Sequence, residues 1–137
     1  MNKSNLNNLL KKLYCKNQKE IFVFNAPREF LSVLWDIGKI VKVKRTVQGD
    51  ERINFALVFV RTSKEVEKHA VILEKNSEKG AIVWFAYPKK SSKTYTSELS
   101  QEKGWESLNS IGYQIVSLIS IDNDWTAMRF KKEQERQ

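Results

Sequence analysis

The chain has 137 residues, of which 41% are hydrophobic and 29% charged, and its formal net charge is +8. This balance excludes an intrinsically disordered chain, and the length suits one domain that buries roughly 68–70% of the surface its unfolded form exposes. Cys15 is the only cysteine, which excludes an internal disulfide, and no apolar run approaches the roughly 18 residues of a membrane span. We therefore expect a cytoplasmic location, one domain over residues 1–132 and a polar tail over 133–137.

The first part of the chain predicts a helix, a buried strand and a second helix. Four leucines between positions 6 and 13 repeat at the spacing that lines one helix face, so residues 1–15 contain a docking helix. Residues 20–25 are a compact apolar run, which is typical of a strand covered on both faces. Pro27 suits the first turn of a helix that directs Trp35 toward the core.

The middle of the chain alternates strands with a helix. Residues 40–44 alternate apolar side chains with lysines, as a half-exposed strand at a sheet edge does. A nearly continuous apolar run at 53–60 indicates a buried parallel strand. A helix over 63–76, with His69 as a surface or flank residue, connects this strand to the next one at 80–88.

The last third of the chain predicts a longer helix and a hairpin. We predict a helix over about 97–111 that buries three large apolar side chains. Strands at 113–121 and 125–130 are joined by turn-forming residues, so they pair as an antiparallel hairpin. The fold class is therefore α/β, with an open, mainly parallel sheet of about six strands, helices on both faces and a C-terminal antiparallel hairpin.

This order of elements resembles the Rossmann-like sheet of S-adenosylmethionine-dependent methyltransferases, which also ends in a reversed strand. Three segments resemble a bacterial family of small domains of unknown function, namely Phe24-Asn-Ala-Pro27, Ile82-Val-Trp-Phe-Ala-Tyr-Pro-Lys89 and Asp122-Asn-Asp-Trp-Thr-Ala-Met-Arg-Phe130. The second segment carries a Tyr-Pro-Lys motif and the third a Trp-x-Ala-x-Arg-Phe motif. The resemblance implies a trimmed methyltransferase-like fold and no particular activity.

The turn after the first strand departs from the methyltransferase pattern. Those enzymes have a glycine-rich turn there, which lets the backbone approach the cofactor. Residues 25–28 of this chain lack glycine, and Pro27 removes a backbone N–H that would face a ligand. Lys44 and Arg45 stand at the end of the second strand, where an acidic residue would take the ribose hydroxyls. The sequence therefore predicts no bound cofactor.

Cationic and polar side chains follow the ends of several predicted strands. Ligands of open α/β sheets bind beyond the carboxyl ends of the strands. Arginine and lysine side chains would hold an anion there, and a tyrosine would stack on a base. The candidate ligand-binding residues are Asn25, Arg28, Arg61, Tyr87, Lys89, Lys90 and Lys93. The alternative is that these side chains are solvated loop residues.

No catalytic set and no metal site is predicted. His69 is the only histidine, and it lies inside a helix, away from the strand ends. The preferred hypothesis is a non-enzymatic binding module whose cationic rim takes an anionic small molecule, a nucleic acid or a protein partner, and no membrane. The alternative is a divergent methyltransferase-like or nucleotide-binding enzyme in which Asn25 and Tyr87 contact the ligand.

Overall fold

The computed structural model describes residues 2–133 and shows a mixed β-sheet with helices on both faces. The helices are α1 Lys3–Lys12, α2 Leu31–Ile37, α3 Ser63–Asn76 and α4 Glu106–Asn109. The strands are β1 Glu20–Phe24, β2 Lys42–Lys44, β3 Ile53–Phe59, β4 Ser77–Pro88, β5 Tyr113–Ser120 and β6 Trp125–Lys132. Of the predicted polar tail over 133–137, residues 134–137 lie outside the described residues.

Within residues 2–133, the six strands have the order β2-β1-β3-β4-β6-β5. β1 pairs in parallel with β2 and with β3, and β3 pairs in parallel with β4. β6 runs antiparallel to both β4 and β5. The predicted fold class is therefore confirmed. Because the chain passes from β1 to β2 on one side and then crosses to β3 on the other, a topological switch point lies between β1 and β3.

A hydrophobic cluster lies on each face of the sheet. One cluster joins α1 and α2 to the sheet, and the other joins α3 and α4 to it. The side chains of β3 belong alternately to one cluster and to the other. Both faces of this strand are therefore buried, which explains its continuous apolar sequence. Trp84 of β4 is 0% exposed, and its Nε1 donates to the Leu13 carbonyl at 3.0 Å. This bond ties the end of the first helix to the centre of the sheet.

The predicted helix over about 97–111 was wrong, because only α4 is helical there and the preceding residues form a loop. Gly104 has a φ of +104°, and a Cβ at this position would lie 2.2 Å from Cδ2 of Leu99. Trp105 donates from Nε1 to the Ser100 carbonyl at 2.7 Å and fastens the loop onto itself. The large apolar side chains are nevertheless buried, and loop geometry rather than a helix delivers them to the core.

The expectation that Trp35 points into the core was also wrong, because this side chain is 74% exposed. α2 has seven residues, and it buries Leu34 and Ile37. Successive helical residues are about 100° apart around the axis, so Trp35 turns away once its neighbour Leu34 faces the sheet. No helix within the described residues is long and apolar enough to span a bilayer.

Candidate functional site

Asn25 bridges the crevice at the topological switch point. It follows β1 with a φ of 61°, a left-handed conformation that asparagine adopts more readily than most residues. Its side-chain Nδ2 donates to the Phe59 carbonyl at 2.8 Å and to the Glu65 carboxylate at 2.7 Å. The side chain therefore ties the end of β1 to the end of β3 and to the first turn of α3.

Glu65 is the acceptor that holds this edge of the sheet together. Its Oε1 accepts from the backbone N–H of Arg61 at 2.8 Å and of Thr62 at 3.2 Å. Thr62 in turn accepts from the Glu65 N–H at 3.2 Å, and this capping box begins α3. With the Asn25 amide as a further donor, the Glu65 carboxylate has a structural role between two clefts.

The first of these is the β1–β2 cleft, a cavity of about 290 Å³ between the ends of β1 and β2 and the side of α3. Its lining residues are Phe24, Asn25, Arg45, Thr46, Val47, Lys68, His69 and Ile72. Apolar walls with a few hydrogen-bonding groups are typical of small-molecule sites. The two charged residues of this lining are both cations.

His69 forms a buried wall of the β1–β2 cleft, which makes the prediction of a surface or flank residue wrong. The side chain is 6% exposed, and its ring centroid lies 5.7 Å from that of Phe24. Nδ1 donates to the Glu65 carbonyl at 2.8 Å, which leaves Nε2 of the neutral ring as an acceptor. His69 lies three residues after Val66 and four before Leu73, so helical spacing places all three on the buried face.

Burial lowers the pKa of His69 below its ordinary value, despite the opposing hydrogen bond to the Glu65 carbonyl. In the unfolded chain this imidazole takes up a proton near pH 6.5, whereas the folded protein resists protonation to a lower pH. Between the two pKa values the unfolded state binds more protons than the folded state. The contribution of His69 to the free energy of unfolding is therefore fully present above a pH of about 6.5 and decreases as the pH falls.

We therefore expect the free energy of unfolding, measured by urea titration, to decrease as the pH is lowered from about 7.5 to about 5.5. His69→Gln removes the titrating group and should flatten this dependence, whatever its effect on overall stability. An equal pH slope in the two proteins would show that another group is responsible.

Arg45 and Lys68 supply the charge of the β1–β2 cleft from two different elements. Arg45 follows β2 directly, and Lys68 precedes His69 on α3. In the described part of the chain neither side chain forms an ion pair, whereas Lys44 is paired with Glu51 and, at 4.0 Å, with Glu20. Two cations without carboxylate partners favour an anionic group in this cleft.

The predicted residue Arg61 lies in a second cleft, on the other side of the Asn25–Glu65 hydrogen bond. This cavity of about 630 Å³ is lined by Arg61, Thr62, Glu65, Thr96, Ser97 and Glu98. The Arg61 guanidinium lies 5.2 Å from the centre of the Tyr95 ring, and its Nε donates to the Thr96 carbonyl at 3.2 Å. The Tyr95 hydroxyl donates to Glu29, and this bond raises the pKa of Tyr95 to about 12.

A third cleft, of about 450 Å³, contains the predicted residues Tyr87, Lys89 and Lys90. Tyr87 is 7% exposed and its ring lies 5.6 Å from that of Trp105, so it is mainly a core residue, and burial raises the pKa of its hydroxyl. Lys89 donates from Nζ to Oγ of Ser120 at 2.7 Å, toward the β5–β6 hairpin.

The structure thus brings together only Tyr87, Lys89 and Lys90 of the seven predicted residues and places Asn25 and Arg61 in two other clefts. Arg28 and Lys93 are exposed and line none of these three clefts, and Asn25 alone of the seven belongs to the β1–β2 cleft. The predicted cationic rim also contains acidic residues, because Glu65 and Glu98 line the same cleft as Arg61. Among residues 2–133, no group of His, Cys, Asp and Glu side chains is arranged to hold a metal ion.

Sequence reasoning missed the cationic and histidine lining of the β1–β2 cleft. The sequence places Arg45 at the end of the second strand, where it argues against a ribose contact and does not by itself indicate a cleft. Lys68 and His69 come from α3, and their proximity to β2 depends on how that helix packs across the sheet.

Comparison with solved structures identifies the fold. Similar structures include the N-methyltransferase NodS from Bradyrhizobium japonicum WM9, with a TM-score of 0.59, 11% identity and coverage of 94% of both chains. A SAM dependent methyltransferase from Aquifex aeolicus has a TM-score of 0.56 and 11% identity, and covers 91% of this chain and 88% of that chain. The Methanococcus jannaschii fibrillarin pre-rRNA processing protein has a TM-score of 0.50 and 13% identity. The match covers 82% of this chain but only 55% of the length of the fibrillarin chain.

No family model and no curated protein matches the chain, so the resemblance to a bacterial family of small domains stays a prediction. At 11–13% identity the likeness to solved structures establishes the fold alone. The chain therefore has a methyltransferase-like α/β fold.

Proposed function

We propose that the protein is a divergent methyltransferase-like protein that binds a nucleoside-type ligand in the β1–β2 cleft. The observation that carries this proposal is the lining of the cleft at the carboxyl ends of β1 and β2. Open α/β sheets bind their ligands at this edge. The methyltransferase-like fold of the chain agrees with a ligand of this class.

The lining suits the two parts of a nucleoside. Phe24, Val47 and Ile72 offer the apolar surface that a flat base needs. The side chain of Thr46 and the Nε2 acceptor of His69 suit hydrogen bonds to sugar hydroxyls or to an amino group of the base.

This proposal replaces both the preferred hypothesis of a non-enzymatic module and the expectation of no cofactor. That expectation rested on the turn at 25–28, which lacks glycine. Of these four residues only Asn25 lines the cleft, so a ligand on the α3 side does not need the N–H that Pro27 lacks. The missing glycine motif therefore argues against a ligand held by the backbone of the turn at 25–28. It does not argue against a ligand in the β1–β2 cleft.

A thermal-shift panel of S-adenosylmethionine, its demethylated product, ATP and NAD tests the proposal. A compound present at 100 times its dissociation constant should stabilise the protein by about 2.7 kcal/mol. Thr46→Trp should fill the cleft and abolish the shift, whereas the matched control Thr94→Trp, on the exposed loop after β4, should preserve it.

Two results would contradict the proposal: no shift with any nucleoside-type compound, or a shift that survives Thr46→Trp. The cationic-rim hypothesis is the second candidate, favoured by the exposed Arg61 side chain in its larger cleft. If the rim binds the compound, Arg61→Gln rather than Thr46→Trp will remove the shift.

A further inference from the structure

We infer that the ligand of the β1–β2 cleft is a phosphorylated nucleoside and that Arg45 and Lys68 bind its phosphate. This inference rests on the proposed function and specifies the ligand class. It distinguishes the cleft from one built for an unphosphorylated cofactor such as S-adenosylmethionine.

The charges at the end of β2 support a phosphate. Lys44 is neutralised by Glu51 and Glu20, and its Nζ also lies 5.5 Å from the centre of the Phe22 ring. The next residue, Arg45, has no carboxylate partner in the described part of the chain and lines the cleft. A free guanidinium fork matches the geometry of a phosphate, which accepts two parallel hydrogen bonds from it.

The position of Arg45 is as informative as its charge. In dinucleotide-binding sheets an acidic side chain at the end of the second strand accepts hydrogen bonds from ribose hydroxyls, and an arginine nearby accommodates a phosphate. A carboxylate is absent from the lining of the β1–β2 cleft as the structure describes it. At this position the chain thus has an arginine, which suits a phosphorylated ligand, and lacks the carboxylate that would accept hydrogen bonds from free ribose hydroxyls.

Lys68 adds a second cation from the opposite side of the cleft. It belongs to α3, whereas Arg45 follows β2, so a phosphate between them would join two elements that are distant in sequence. Burial lowers the pKa of His69 and keeps the ring neutral, and its Nε2 offers an acceptor, which repels phosphate oxygens. The phosphate is therefore placed toward Arg45 and Lys68, and the nucleoside toward His69 and Phe24.

Isothermal titration calorimetry with adenosine, 2′-AMP, 3′-AMP, 5′-AMP and S-adenosylmethionine tests the inference on the full chain. At least one monophosphate should bind about tenfold or more tightly than adenosine, a difference of about 1.4 kcal/mol. Arg45→Gln should weaken the binding of that monophosphate more than the binding of adenosine and so reduce the preference. The matched control Arg28→Gln changes an exposed arginine outside the cleft and should keep the preference.

The possible failures separate the two proposals. Equal affinities for adenosine and the monophosphates, or tighter binding of S-adenosylmethionine than of every monophosphate, would overturn the phosphate inference and retain a nucleoside site. A preference that is undiminished in Arg45→Gln would overturn it as well, because the phosphate would then lie away from Arg45. Absence of binding by all five compounds would overturn the proposed function and this inference together.

Discussion

Trp84→Ala is expected to lower the free energy of unfolding by about 3–5 kcal/mol, the usual cost of truncating a buried large aromatic side chain. Trp84 is fully buried in β4, between neighbouring strands on both sides. Its loss leaves a cavity and also deprives the Leu13 carbonyl of its donor. Urea denaturation monitored by circular dichroism measures the change, and a loss of this size is a large part of a typical total stability of about 5–15 kcal/mol.

Trp35→Ala is the matched control, because it removes the same side chain from a position that is 74% exposed. Its effect should stay within about 0.5 kcal/mol. Trp84→Phe removes the donor and only part of the ring volume, so it should lose less than the alanine variant, about 1–3 kcal/mol, and remain measurable if the alanine variant does not fold. Equal losses at positions 84 and 35 would contradict the assignment of Trp84 to the core.

Glu65→Ala is expected to lower the free energy of unfolding by about 2–3 kcal/mol, because hydrogen bonds to a charged group contribute more than neutral ones. The substitution removes the capping-box acceptor of α3 and the partner of the Asn25 amide at once. It also leaves the backbone N–H groups of Arg61 and Thr62 without this acceptor. Chemical denaturation of the purified variant measures the loss.

Glu67→Ala is the control for the Glu65 prediction, since Glu67 is an exposed residue of the same helix. Its effect should be within about 0.5 kcal/mol. The stability loss of Glu65→Gln should lie between those of Glu65→Ala and Glu67→Ala. The glutamine amide keeps one acceptor oxygen but turns a donor toward the donating amide of Asn25. A loss at Glu65 no larger than that at Glu67 would show that the network at the switch point contributes little to stability.

The elements that could be predicted from sequence are those whose side-chain pattern depends on their own environment. The apolar run of β3 reflects burial on both faces, and the range of α3 follows from a capping box at its start and a regular buried face. The turn residues between β5 and β6 likewise predict an antiparallel pair. These local patterns were sufficient for the fold class and for the strand that ends in Pro88.

Other features could not be predicted, because their causes are distant in sequence. Leu99 and Trp105 are apolar enough for a helix, but contacts within the loop and the positive φ of Gly104 decide their backbone. The candidate residues Arg61 and Lys89 both follow parallel strands, yet Arg61 is held by Tyr95 and Lys89 by Ser120, in different clefts.

The sequence by itself determined a basic α/β sheet, because alternation, apolar runs and turn chemistry are short-range consequences of which side chains meet water. Only the tertiary structure decided that Arg45, Lys68 and His69 share one cleft. The reason is that the crossing from β2 to β3 and the packing of α3 bring together side chains that no local spacing relates. A site assembled from the exit of one strand and the side of a helix is therefore visible only when the sheet order is known.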